Sequence, residues 1–398
     1  MKTRFLPVAL ALFLAANLTG CQPAAEPQEG IPVIDLNKKY KKQGFNIQSF
    51  FDVEYIPLET TDEFLVEGFI KDVGDRYLVT YNQQEGNGDI FFFDRKTGKA
   101  INKINHRGQG VGEYTSIEDL ILDEAANELF VSNYYMNRVL VYSLPDGAYK
   151  RTLTLEEGRQ YGEMYNADSQ HLIVYDETFR KVAGQKPEKG FYFALLSKQD
   201  GSLAKPLYIP LTESASPWVR LSEGFSVQGN VPDAIIPNRG NWLLLELSSD
   251  TVYNFRPSTG EIEPFMAYIP STNPERFFSL GVVTDRFYFM VYEDKPVNMA
   301  DLEDGISDKH PLIYDKQKQI CYEGYLFNKD LKEDNMIFPS ITHVLNRETL
   351  AGYETIPAHR LVRAYEEGNI ADGPLKDIAS QLDMEDNPVL MLMKYKKP

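Results

Sequence analysis

The chain has 398 residues, 43% hydrophobic, 25% charged and 12% aromatic, which excludes intrinsic disorder and fibrous repeats and leaves ample material for a packed core. Its 58 Asp and Glu against 41 Lys and Arg give a formal charge of -17, so nucleic acid would meet a repelling field and is excluded as a partner. Cys21 and Cys321 are the two cysteines, too few for a disulfide scaffold or a Cys/His zinc cluster.

Lys2 and Arg4 precede the apolar run Phe5 to Ala16, and Leu18-Thr19-Gly20-Cys21 follows. A positive start, a short apolar stretch and small residues before a cleavage point read as a signal peptide over residues 1–20, since about 20 apolar residues are needed to span a bilayer. The Leu-x-Gly-Cys ending resembles the bacterial lipobox, whose cysteine is acylated and becomes the mature N-terminus. It implies a lipid attachment at Cys21 and a membrane-bound position in the cell envelope. Gln22 to Gly30 is Pro-rich, polar and aperiodic, so residues 21–49 are expected to be the lipidated Cys and a tether. Cys321 then lacks a partner and reads as a buried apolar residue.

Residues 50–398 are expected to form one all-β domain. The segment Ile70–Val73, Tyr77–Tyr81, Ile90–Asp94 and Ala100–Ile104, broken by Gly74-Asp75, a polar loop and Lys96-Thr97-Gly98, reads as four strands joined by hairpins. The plan repeats from Ile117 to Leu155, about Tyr165 to Pro210, about Phe225 to Pro270, and Phe277 to about Phe327. Turn glycines stand at Gly98, Gly147, Gly201 and Gly260, and Gln317-Lys318-Gln319 replaces the fifth. A two-residue hairpin would need the positive φ that Gly supplies.

A sixth unit shows two strands of its own, Ile341–Leu345 and Leu350–Glu354. The early strand Asp52–Leu58 and the late strand Asn387–Tyr395 complete it, closing a six-bladed β-propeller through its N- and C-terminal strands. Between them, segment 358–385 carries short C-terminal helices, with Leu361, Val362 and Tyr365, then Pro374 at a helix start and Leu375, Ile378, Ala379 and Leu382 on one face.

The run Arg107-Gly108-Gln109-Gly110-Val111-Gly112-Glu113-Tyr114, followed by Ile117-Glu118-Asp119-Leu120 and Leu122-Asp123, resembles the Arg-Gly-x-Gly-Pro-Gly-Glu-Tyr signature of six-bladed β-propeller lipoproteins of Bacteroidetes, distant relatives of NHL-repeat propellers. The likeness extends to Asp62-Glu63 and to Asp386-Asn387-Pro388-Val389-Leu390, and Val111 stands where the signature has Pro. It implies this fold and an envelope location, but no activity. Read from the residues alone, the alternating glycines allow a tight crossing between blades; they lead into a strand, which does not suit a phosphate-binding helix N-terminus.

Little catalytic chemistry is legible. His106, His171, His310, His343 and His359 are scattered, so no metal or other cofactor is expected. Gly224 to Gly229 has one residue too many for a nucleophile elbow, and the acidic insert Glu293 to Asp308 lacks the alternation of a calcium loop. The expected function is a ligand-binding or protein-interaction module, its partner a glycan, a peptide or an envelope protein. The alternative is an envelope hydrolase or lyase acting on glycans or peptides. Arg107, Tyr135, Arg138 and Trp218 are candidate ligand contacts, because each falls at an expected blade edge or inter-blade loop.

Overall fold

A computed structural model describes residues 30–67, 70–82, 88–178, 191–211, 218–222, 225–228, 232–295, 309–333, 336–337 and 343–396. Three strands come first: β1 (Val33–Asp35), β2 (Lys41–Asn46) and β3 (Phe51–Pro57). Blade 1 is β4 (Ile70–Val73), β5 (Tyr77–Tyr81), β6 (Asp89–Asp94) and β7 (Ala100–Asn105). Blade 2 is β8 (Asp119–Asp123), β9 (Glu128–Asn133), β10 (Arg138–Ser143) and β11 (Tyr149–Thr154). Blade 3 is β12 (Tyr161–Asn166), β13 (His171–Asp176), β14 (Phe193–Ser197) and β15 (Leu203–Leu207). A hairpin, β16 (Trp218–Ser222) with β17 (Phe225–Gln228), follows. Blade 4 is β18 (Ile235–Asn238), β19 (Asn241–Leu244), β20 (Thr251–Arg256) and β21 (Glu261–Ile269). Blade 5 is β22 (Arg276–Val283), β23 (Phe287–Asp294), β24 (Lys309–Asp315) and β25 (Ile320–Phe327), with β26 (Met336–Ile337) beside β25. The last elements are β27 (His343–Val344), β28 (Leu350–Ile356), α1 (Ala358–Glu366), α2 (Pro374–Ala379) and β29 (Val389–Tyr395).

Each blade is an antiparallel sheet built outward from its first strand, and together they make the six-bladed β-propeller expected. The sixth runs β27-β28-β29-β3, with Val389 opposite Pro57 and Tyr395 opposite Phe51, so the two ends of the chain share one blade. The fourth repeat differs from expectation. Phe225–Gln228 alternates like a blade strand, but it pairs with the neighbouring Trp218–Ser222, and the inner strand of blade 4 is β18.

No single core exists; the apolar residues fall into six layers, each between consecutive blades. Phe92, Leu120 and Tyr142 lie between blades 1 and 2, Phe130, Leu153 and Val174 between 2 and 3, and Tyr175, Phe193 and Phe255 between 3 and 4. Met266 and Phe278 join 4 to 5, Phe289 and Met391 join 5 to 6, and Phe93 with Leu390 joins 6 back to 1. That last layer closes the ring. Both faces of a blade are therefore buried, which explains strands such as Ile90-Phe91-Phe92-Phe93, apolar without alternation.

A ring of this kind leaves the free edge of every inner strand facing the axis, and neighbouring blades satisfy those edges with side chains. Asp72 accepts from the Leu122 N–H at 2.9 Å, and Asn166 donates to the Leu122 carbonyl at 3.1 Å. Glu163 accepts from Ala234 and Ile235, Asn346 accepts from Val283, and Tyr353 donates to the Ile70 carbonyl at 2.7 Å. Each such contact pairs a buried backbone group and fixes the register between blades.

Two features correct the sequence expectation. Within the stretch 21–49 expected to be tether, β1 pairs in parallel with β21 and β2 with β25, adding fifth strands to the outer edges of blades 4 and 5. Ile34, Leu36 and Ile47 are buried there, so the chain from Val33 on belongs to the propeller. The blade turns are also wider than two-residue hairpins. The N–H groups of Gly98, Gly147, Gly201 and Gly260 each donate to a carbonyl four residues back. Positive φ is still needed, and Gln319 adopts it at +54° in blade 5.

The helices lie where expected, between β28 and β29. Leu361, Leu375 and Ala379 pack into the layer between blades 5 and 6, whereas Tyr365 turns outward.

Candidate functional site

Strand-to-strand turns alternate between the two faces of the ring. The turn from β8 to β9, the turn from β12 to β13 and the turn from β14 to β15 therefore share the face away from the helices. Where blade 2 meets blade 3 they surround a cleft of about 610 Å³, lined by Asp123, Ala126, Glu128, Arg151, Ser169, Gln170, His171, Ser197, Lys198 and Gln199. The Lys198 N–H donates to the Gln170 carbonyl at 2.9 Å, which locks the two blade 3 turns together.

The cleft has a charged floor and a neutral rim. Lys198 is buried, and its ammonium donates to Asp123 Oδ2 at 2.7 Å, Asn166 Oδ1 at 2.5 Å and the Asp168 carbonyl, which accounts for its three protons. Arg151 lies beside it. Its Nη1 and Nη2 donate to the two oxygens of buried Glu128 at 2.6 and 2.8 Å, and its Nε and Nη2 donate to the Lys198 carbonyl. Hydrogen bonding from Arg151 is the main reason the Glu128 carboxyl titrates below its ordinary range, and Lys150 adds to it. Both cations rest on the face of Phe130, at 5.9 and 5.7 Å from its centroid.

His171 Nδ1 lies 3.0 Å from both Asp168 oxygens, and the Gln170 and His171 N–H groups donate to the same carboxylate. Burial works to raise the Asp168 carboxyl, but these donors outweigh it and hold it low. Ala126, Ser169, Gln170 and Gln199 form the exposed lip.

Arg107, Tyr135 and Arg138, picked from the sequence, sit on the opposite face. Arg107 is exposed in the connection from β7 to β8, Tyr135 is 78% exposed in the connection from β9 to β10, and Arg138 begins β10. None of them lines the cleft. Arg138 is engaged in structure, its Nη2 donating to the Glu113 carbonyl at 2.7 Å. Trp218 lies in β16, and its side chain falls outside the described residues, as does Cys21.

The glycine-rich signature turns out to be a junction between blades. Gly112 alone of its three glycines has positive φ, at +75°. Gly108 and Gly110 make room for Glu113, whose Oε2 would lie 2.0 and 3.0 Å from a Cβ at those positions and accepts from the Gly110 N–H at 2.7 Å. Tyr114 is buried and donates to the Gly88 carbonyl at 2.6 Å, while Tyr142 donates to the Gly112 carbonyl. The loop thus ties blade 1 to blade 2.

The other chemistry-bearing groups are dispersed. His106 stacks on Tyr142, His310 on Tyr292 and His343 on Tyr353. Among the described residues no three His, Cys, Asp or Glu side chains are grouped to hold a metal ion. Phe225–Gln228 is extended, not a strand-to-helix elbow, and most of the acidic insert, residues 296–308, lies outside the described residues. Cys321 is half-buried, not fully buried, yet burial pushes its thiol up to about 12, which leaves it unreactive. Near the axis, Asp119 is raised to about 7 by burial, against the pull of Lys71.

Asp123, Glu128, Arg151, His171 and Lys198 were not singled out from the sequence. They come from two blades and from four positions in the repeat, Glu128 and His171 each opening the second strand of its blade, so no local spacing joins them. Lys198 gives no signal of its own, because Arg95 and Lys316 stand at the same place in the turns of blades 1 and 5.

A Bacteroides fragilis protein, a presumed exported one, is 17% identical, with a TM-score of 0.62 over 92% of this chain and 100% of that one. A Bacteroides vulgatus protein of the DUF4221 family is 12% identical, with a TM-score of 0.49 over 88% of this chain and 98% of the other. The first of these likenesses supports the fold. No curated protein matches the chain. The family model described as Domain of unknown function (DUF4934) matches residues 31–394, nearly the whole of the propeller with its two edge strands, and the chain belongs to that family.

Proposed function

We propose that the chain is a lipid-anchored cell-envelope protein, held through Cys21, whose propeller is a binding module that takes a polar ligand in the cleft between blades 2 and 3. The envelope location is supported by the signal-like start of the sequence and by the likeness to a presumed exported protein. The binding role is carried by one observation: a cleft of about 610 Å³, within the usual range for ligand sites, whose buried charges are already paired with one another. A binding site needs such a preset polar surface; a catalytic site needs a base, acid or nucleophile left free to react.

A second reading, an envelope hydrolase or lyase, is favoured by the pair of His171 and Asp168. Nδ1 is committed to the carboxylate, which leaves Nε2 to act on a substrate. The two readings separate on one experiment. Ligands from envelope small-molecule and glycan fractions are screened by thermal shift against wild type, Ala126→Trp, which obstructs the cleft, and His171→Gln. Binding predicts a stabilising ligand that Ala126→Trp no longer responds to and that is recovered unchanged. Turnover abolished by His171→Gln would establish the second reading. Stabilisation undiminished by Ala126→Trp would remove the cleft from both.

A further inference from the structure

Resting on that reading, we infer that the ligand of the cleft is a neutral carbohydrate, gripped through its hydroxyls along the rim. The argument begins with charge. Besides His171, whose Nδ1 faces Asp168, the lining holds two acids, Asp123 and Glu128, and two cations, Arg151 and Lys198, and each of these four is bonded to a partner within the floor. Lys198 has no proton left to give, and four of the five N–H groups of Arg151 are used. An anionic ligand would gain no free cation and would face a protein of net charge -17. A cationic ligand would have to break a buried pair, which is strongly unfavourable because the displaced partner stays buried.

What remains for a ligand is the Ser169 hydroxyl, the Gln170 and Gln199 amides and the Nε2 of His171. An amide or a hydroxyl both donates and accepts, and a sugar hydroxyl does the same, so each contact can be satisfied in either sense. A peptide would need apolar recesses for its side chains, and Ala126 is the one apolar side chain of the lining. Among the described residues no Trp, Tyr or Phe lines the cleft, so a sugar lacks a stacking platform, lies edge-on and binds weakly.

The test is isothermal titration of the purified full-length chain with neutral tetra- to hexasaccharides of glucose, galactose, mannose and xylose, alongside oligogalacturonates and uncharged tetrapeptides. At least one neutral series is expected to bind. Gln170→Ala combined with Gln199→Ala should weaken it about tenfold, as loss of two hydrogen bonds of ordinary strength would. Ala126→Trp should abolish it, with melting of both variants matching the wild type. Two nearby positions removed together guard against one amide covering for the other. If oligogalacturonates bind and Ala126→Trp blocks them, the ligand is not neutral; if peptides bind and the variant blocks them, it is not a carbohydrate; either result overturns the assignment while the cleft stands. If neutral sugars bind equally to wild type and Ala126→Trp, or if no neutral sugar binds, the assignment falls as well.

Discussion

Gly98 meets two demands at once: its φ is +70°, and a Cβ there would lie 1.9 Å from the Pro57 carbonyl oxygen in the closing blade. The equivalent Gly147 would press on Ile104, and Gly201 on Leu153 and the Thr154 carbonyl, each in the outer strand of the preceding blade. The turn glycine therefore lets one blade sit against the last, a role a free hairpin would not require. Gln319, at φ +54°, keeps the left-handed backbone with a side chain present, so there the demand for space is absent and the strain remains. Gly98→Ala is expected to lose about 2 kcal/mol or more, from backbone strain added to overpacking. Gln319→Gly should gain about 0.5 kcal/mol, since relief of strain outweighs the added freedom of the unfolded chain. Urea unfolding of the two variants checks both; equal losses would show that the turn positions are interchangeable.

Strands β1 and β2 show which part of the fold was hidden in the sequence. Most blade strands were legible because they carry β-branched or aromatic residues between turn residues and recur in the repeat; Leu203–Leu207 has neither type and was placed by the turn before it, and the inner strand of blade 4 was missed. Val33-Ile34-Asp35 is too short to signal a strand, and Lys41-Lys42-Gln43-Gly44 is polar; both are strands only because β21 and β25 offer unpaired edges. Phe225–Gln228 misled for the opposite reason, having a strand's pattern with no place in a blade. The cleft was hidden more deeply, since Asp123 and Lys198 meet only when blade 2 and blade 3 pack. Removing residues 30–46 would uncover the apolar surface beneath Ile34 and Leu36, both essentially unexposed, at a cost of about 4 kcal/mol. The ring would stay closed, because β3 is retained. Melting should remain a single transition at a temperature several degrees lower; an unchanged midpoint would mean that the two edge strands are not bound to the propeller in solution.

The whole molecule depends on a different pair of strands. Because the core is divided into six layers, no blade can bury both its faces alone, and stability is shared around the ring only while the ring is complete. Strand β29 sits at the most exacting point of that arrangement. It pairs with β28 on one side and with β3 on the other, and its residues enter the layers on both sides of blade 6, Met391 toward blade 5 and Leu390 and Leu392 toward blade 1. Val389 through Met393 are all essentially unexposed, so deleting residues 387–396 would forfeit roughly 10 kcal/mol of apolar burial, comparable with the entire stability of an ordinary domain. The expected result is loss of the cooperative transition itself, in contrast to the shifted midpoint of the 30–46 deletion. Far-ultraviolet circular dichroism and, with Trp218→Phe in the background, fluorescence of Trp242, buried between blades 3 and 4, should then report different midpoints or none. A deletion variant in which both probes still fall together, at the wild-type temperature, would show that each blade junction holds by itself and that closure adds nothing.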